Sequence, residues 1–138
     1  MTWYLTVRPD DHYGGSVPTC VLVSHLDAVP GLLRTDGSSY RTEGGPDRIH
    51  LILAACDGSG SYAAHPDRVP QRLNAVELVC SSAAPGSAYR TAVALAVGIA
   101  DRLGWEVVDA ESEELVHTGP AVPVPARCAV KCPACAPP

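Results

Sequence analysis

Two stretches decide the fold: Ile49 to Asp57, IHLILAACD, and Leu73 to Cys80, LNAVELVC. Both are short apolar runs rich in branched residues and bounded by Gly, Pro, Asp and Ser, too short for stable helices, so each reads as a strand. In the first, Ile49, Leu51, Leu53 and Ala55 alternate with His50, Ile52, Ala54 and Cys56. In the second, Val76, Leu78 and Cys80 alternate with Ala75, Glu77 and Val79. One face is fully apolar and the other carries a charge, the pattern of an antiparallel sheet covered by helices on one side only. The pair is expected at the centre of the sheet, with the mixed face available to a partner.

Outward from this pair, Thr2 to Arg8 alternates cleanly and ends at Pro9, which predicts the first strand. Ser16 is placed to cap a helix that carries Pro18 in its first turn, shows Leu22, Leu26 and Val29 on one face, and stops at Pro30-Gly31. Leu33 to Gly45 is broken by Asp36-Gly37 and Gly44-Gly45, which favours a short polar edge strand or hairpin arm. After a Gly-, Ser- and Pro-containing stretch over 58–72, the second central strand leads to a helix expected from Ser87 to Leu103. Its apolar face is Ala88, Ala92, Leu95, Ile99 and Leu103, with Gly104 as its stop. Trp105 to Asp109 is a last short strand, and Glu111, Glu113 and Glu114 read as a solvated exit.

The order predicts an α+β fold, a two-layer ferredoxin-like sandwich of four to five antiparallel strands with two helices on one face. The domain is expected to span 1–110. Residues 111–138 read as a flexible Pro-, Ala- and Cys-rich tail, with too few large apolar groups from Ala121 onward to offset the entropy of ordering.

The chain's 138 residues suit one domain that folds without disulfides or metal. A net charge of -5 with no basic cluster argues against nucleic acid. The opening MTWYLTVRPD shows no leader pattern, and no apolar run approaches a membrane span, so a cytoplasmic setting is expected. Cys20, Cys56 and Cys80 lie in apolar segments and read as reduced, small hydrophobes. Nine Arg against the single Lys131, with abundant Ala, Val, Gly and Pro, is a bias associated with GC-rich coding.

TWYLTVRP at Thr2 to Pro9, SVPT at Ser16 to Thr19, LAACD at Leu53 to Asp57, NAVELVCS at Asn74 to Ser81 and LGWEVV at Leu103 to Val108 together resemble small uncharacterised proteins of GC-rich actinobacteria. The resemblance covers about residues 1–110. It implies a bacterial setting and a domain boundary, and no catalytic residue, since no activity is assigned to that family.

Chemical motifs are sparse. Cys128, Cys132 and Cys135 have the spacing C-x3-C-x2-C, which can hold zinc or three corners of an iron-sulfur cluster. A zinc site would need a fourth ligand such as His117, and the composition favours a tail without metal or cofactor. Ser59, Ser61, His65 and Asp67 are residue types of a hydrolase triad, yet the G-x-S-x-G elbow is absent, and the same loop lacks the lysine of a phosphate-binding P-loop. His50 and Glu77 fall on neighbouring strands as a structural or catalytic pair.

The leading expectation is a non-enzymatic binding module, an inhibitor or immunity-type protein, that meets another protein or a second copy of itself through Tyr4, Thr6, His50, Ile52, Glu77 and Val79. The alternative is a small enzyme or ligand-binding protein with a pocket between the sheet face and the 58–72 loop, using His50, Glu77 or His65.

Overall fold

The computed structural model describes residues 2–36, 39–43, 48–56, 71–81 and 85–121. The elements in chain order are β1 (Thr2–Arg8), β2 (Val17–Pro18), α1 (Thr19–Asp27), β3 (Leu32–Asp36), β4 (Ser39–Thr42), β5 (Ile49–Ala54), β6 (Arg72–Leu73), β7 (Ala75–Ser81), α2 (Pro85–Leu103), β8 (Glu106–Asp109) and β9 (Leu115–Thr118). Seven strands form one sheet in the order β3-β4-β5-β7-β1-β8-β9, and β2 pairs with β6.

The central pairing is as the sequence predicts. β5 and β7 are antiparallel neighbours, with Leu51 opposite Leu78 and Leu53 opposite Val76. β1 lies on the other side of β7, with Leu5 opposite Leu78 and Val7 opposite Val76. These apolar residues form one core with Leu22 and Leu26 of α1 and Ala92, Ala96 and Ile99 of α2, so both helices cover the same face. β1 and β5 each run antiparallel to β7, and so parallel to each other. α1 lies on the connection between them, and β7 fills the gap they leave. In the same way α2 joins β7 to β8, with β1 between them.

The sheet has seven strands where four to five were expected. On one edge, β3 and β4 form a hairpin that extends β5, with Tyr40 opposite Leu51. Tyr40 is buried in the core, and its hydroxyl donates to Asp27 Oδ1 at 2.8 Å, tying the hairpin to the end of α1. Burial pushes the Tyr40 pKa well up, and the Asp27 carboxylate adds to the rise. On the other edge, β9 pairs with β8, so the sheet continues past residue 110, where the sequence placed the end of the domain. Glu111, Glu113 and Glu114 are exposed as expected, but in a turn between two strands. Asp109 Oδ1 accepts the N–H groups of Glu111 and Ser112 at 2.9 and 3.1 Å, a local bonding pattern that favours a turn over an open exit.

α1 starts three residues later than its expected cap. Ser16 does not cap it; its Oγ accepts from Arg72 Nε at 2.8 Å. Val17 and Pro18 pair with Leu73 and Arg72, and the Thr19 N–H, which a cap would otherwise serve, donates to the Gln71 carbonyl at 2.9 Å. In α2 the buried stripe is Ala92, Ala96, Ile99, Ala100 and Leu103, and Leu95 lies at its margin, half-buried. Gly104 takes φ +71 and ends the helix, its N–H donating to the Ala100 carbonyl at 2.7 Å.

Candidate functional site

The face of the sheet away from both helices is built by strict alternation. Residues directly opposite each other in an antiparallel pair point to the same side, so the register defines rows across the face. One row reads Ser39, Ile52, Glu77, Thr6, Val108 and Leu115. The next reads Arg41, His50, Val79 and Tyr4. With strands about 4.8 Å apart, six strands make the first row about 24 Å wide. All six residues predicted for the site, Tyr4, Thr6, His50, Ile52, Glu77 and Val79, stand in these two rows.

Their exposures differ. Tyr4 is 43% exposed and His50 is exposed, while Ile52, Glu77 and Val79 are half-buried. Thr6 is only 6% exposed, because a short side chain on a central strand lies below its longer neighbours, so it offers no surface to a partner. Sequence reasoning missed Ser39, Arg41, Val108 and Leu115 in these rows, and Leu33, which pairs with Arg41 and is 39% exposed. Leu115 is 60% exposed and reaches this side through a bulge. Val107 pairs with His117, but Val108 pairs with Leu115, leaving Val116 as the extra residue. Plain alternation would put Leu115 on the side of His117, which bonds Asp101 of α2, so the bulge hid it from the sequence.

One end of the face is closed by the turn after β1. Asp10 Oδ1 accepts the N–H groups of His12 and Gly14 at 2.8 and 3.1 Å, and these bonds lower the Asp10 pKa. The turn delivers Tyr13, at φ +56, onto Ala54, Cys56 and Ala75. Arg8 spans the same corner, with its guanidinium 5.5 Å from the Tyr13 ring centroid and its Nε 3.0 Å from Glu106 Oε2. Asn74 fastens the corner from below. Its Oδ1 accepts the Cys56 N–H, and its Nδ2 donates to the carbonyls of Cys56 and Tyr13 at 2.7 and 3.2 Å.

His50 pairs with Val79 and Glu77 with Ile52, so His50 and Glu77 are diagonal neighbours on adjacent strands and not directly opposed. Among the described residues, no group of three His, Cys, Asp or Glu side chains could hold a metal ion. His117, the proposed fourth zinc ligand, places Nε2 2.7 Å from Asp101 Oδ1, linking β9 to α2. Ser59, Ser61, His65, Asp67, Cys128, Cys132 and Cys135 lie outside the described residues, as does most of the 58–72 loop on which the pocket alternative depends.

The cysteine reading requires a correction. Cys20 is buried in the first turn of α1, as expected of an apolar segment, but it is disulfide-bonded and not a reduced thiol. Its partner is not among the described side chains. The expectation that the fold carries no disulfide is therefore overturned at Cys20. Cys56 is buried and is not in a disulfide. No described helix is long and apolar enough to cross a membrane. No protein-family model and no curated protein matches the chain.

Proposed function

We propose that this chain is a non-enzymatic binding module that docks another protein on the helix-free face of its sheet. The observation that carries the reading is the gathering of Tyr4 and Leu115, both well exposed, with the half-buried Ile52 and Val79 on one surface that neither described helix covers. A face of aromatic and aliphatic groups among isolated charges has the composition of a protein interface, and Tyr is a preferred anchor there. The two interlocked strand-helix-strand units support a ferredoxin-like plan, extended by a hairpin on one edge and a strand on the other. The net charge of -5 suits a partner with a basic surface, as for an inhibitor or immunity-type protein steered to its target by charge. The likeness of residues 1–110 to small actinobacterial proteins belongs to the same proposal.

The outward stripe of α2, from Arg90 through Ala94 and Gly98 to Asp101, is the rival surface, but it offers small groups in place of anchors. The test compares two folded variants of the full chain, Tyr4→Asp with Ile52→Asp, and Ala94→Glu with Gly98→Glu. Each is titrated with the partner that wild-type protein retains from extracts of the producing cells. Binding lost in the first variant and kept in the second is the expected result. Intact binding by the first variant overturns the proposal.

A further inference from the structure

Arg41 of β4 and His50 of β5 are directly opposite in the register, and both stand on the helix-free face in the row that continues through Val79 to Tyr4. Directly opposed side chains on antiparallel strands have their Cβ atoms about 5 Å apart. His50 is exposed and Arg41 is half-buried. At this spacing the two groups repel each other whenever the imidazole is protonated, so the pairing costs the sheet stability. A local conflict of that kind is characteristic of functional positions.

Neither side chain finds a partner among the described residues. There the ion pairs join Arg8 to Glu106, His12 to Asp11 and His117 to Asp101, and none reaches Arg41 or His50. By contrast, Arg34 lies over the Tyr40 ring and Arg72 bonds Ser16. Glu77 is the carboxylate nearest in the register, but it is diagonal to His50 and opposite Ile52, and it forms no ion pair with either cation.

The surroundings narrow the ligand. Leu33, 39% exposed, flanks Arg41 on one side, and Val79 and Tyr4 extend the row beyond His50, so the pair sits between apolar groups. A docked surface shields such a pair from water, and charge-assisted bonds strengthen as the local dielectric falls. A guanidinium donates two parallel N–H groups to a carboxylate, and an imidazole N–H adds a third. Tracking a nucleic acid takes a row of cations, which this face of a chain with net charge -5 does not offer. A phosphate dianion would meet Glu77 diagonally.

We propose that Arg41 and His50 together seat one Asp or Glu side chain of the protein docked on the helix-free face. The inference rests on the docking reading and adds the partner's chemistry and orientation. From β4 to β9 is five strand spacings, about 24 Å, and at that far side the turn between β8 and β9 exposes Glu111, Glu113 and Glu114. The face is therefore polarised. The partner's carboxylate lies over β4 and β5 and its basic groups lie toward the acidic turn, whereas the reversed orientation sets like charges together at both ends.

The immobilised full-length chain is used to select from a displayed library of random peptides, and the enriched peptides are titrated against wild type and folded variants at physiological salt. A shared Asp or Glu in the enriched peptides is expected, with affinity reduced about tenfold or more by Arg41→Gln with His50→Gln. Exchanging the peptide's acid for Lys should abolish binding to wild type and restore it on Arg41→Glu with His50→Glu. Peptides without a shared acid, no enrichment at all, or an affinity unchanged in the Gln pair overturns the proposal. Inorganic phosphate that competes more strongly than acetate assigns the seat to phosphate and overturns it as well, as do wild-type dimers in sedimentation that the Gln pair breaks. Tyr4→Asp with Ile52→Asp separates this failure from that of the docking reading. Peptides that lose this variant but keep the Gln pair overturn the carboxylate seat alone, and peptides indifferent to both overturn the docking reading too.

Discussion

Asn74 holds Cys56 in the way a neighbouring strand would: its Oδ1 accepts the Cys56 N–H at 2.6 Å and its Nδ2 donates to the Cys56 carbonyl at 2.7 Å. β5 ends at Ala54, so this side chain continues the pairing beyond the last backbone ladder. The same amide reaches the Tyr13 carbonyl, and three segments distant in sequence meet on one residue. Asn74→Ala leaves these part-buried backbone groups without their partner. A loss of about 2–4 kcal/mol is expected, from the desolvation cost of unsatisfied groups. Urea unfolding measures it, and a change below about 0.5 kcal/mol would mean that water replaces the amide.

The core of α2 yields a paired prediction. Ile99 is 1% exposed among Leu5, Leu103 and Val107, whereas Leu95 is half-buried at the margin of the same core. Ile99→Ala is expected to cost about 2–5 kcal/mol, the range for emptying a packed site. Leu95→Ala should cost less than half as much, since its site opens to solvent. Equal losses in chemical denaturation would contradict the observed rotation of the helix.

His25 sets a pH dependence. Partial burial lowers its pKa below the ordinary value of 6.5, and the Arg102 charge lowers it further. In the unfolded chain the imidazole takes up its proton near 6.5, before the folded state does. Stability is therefore full above that pH and falls as pH drops from 6.5 toward the folded pKa. Asp10 acts in a separate window, since its lowered pKa withdraws stability only as pH falls below about 3.8. His25→Gln should flatten the midpoint of thermal unfolding between pH 6.5 and 5 relative to wild type. An unchanged slope in the variant would assign that dependence to another group.

The central pair was legible because Ile49 to Ala54 and Ala75 to Cys80 are runs of branched residues with turn signals on both sides, and α2 because its apolar spacing persists over 19 residues. The missing pieces are local and short. β9 has four residues after an acidic turn, too few for a periodicity to register, and β2 and β6 have two each, defined only by their pairing. The start of α1 was misplaced because its first N–H finds a backbone acceptor 52 positions away, at Gln71 (71 − 19 = 52), which no local cap signal reports. The Cys20 disulfide was missed for a related reason: residue spacing does not specify connectivity, and a half-cystine in an apolar run looks like a buried thiol.

The part of the face on β1, β5 and β7 was readable from alternation alone, down to the grouping of Tyr4 with His50 and Val79. Burial was not. Thr6 alternates correctly yet is covered, because exposure depends on the sizes of neighbours on other strands.

Docking on the helix-free face is tested most directly by a photo-crosslinking residue placed at Tyr4 in one full-length protein and at Ala94 in another, each irradiated in extracts of the producing cells. The account predicts a discrete protein adduct from position 4, suppressed when Ile52→Asp is added, and none from position 94. An adduct from position 94 alone, or none from position 4 while the wild-type chain still retains a partner, would contradict it.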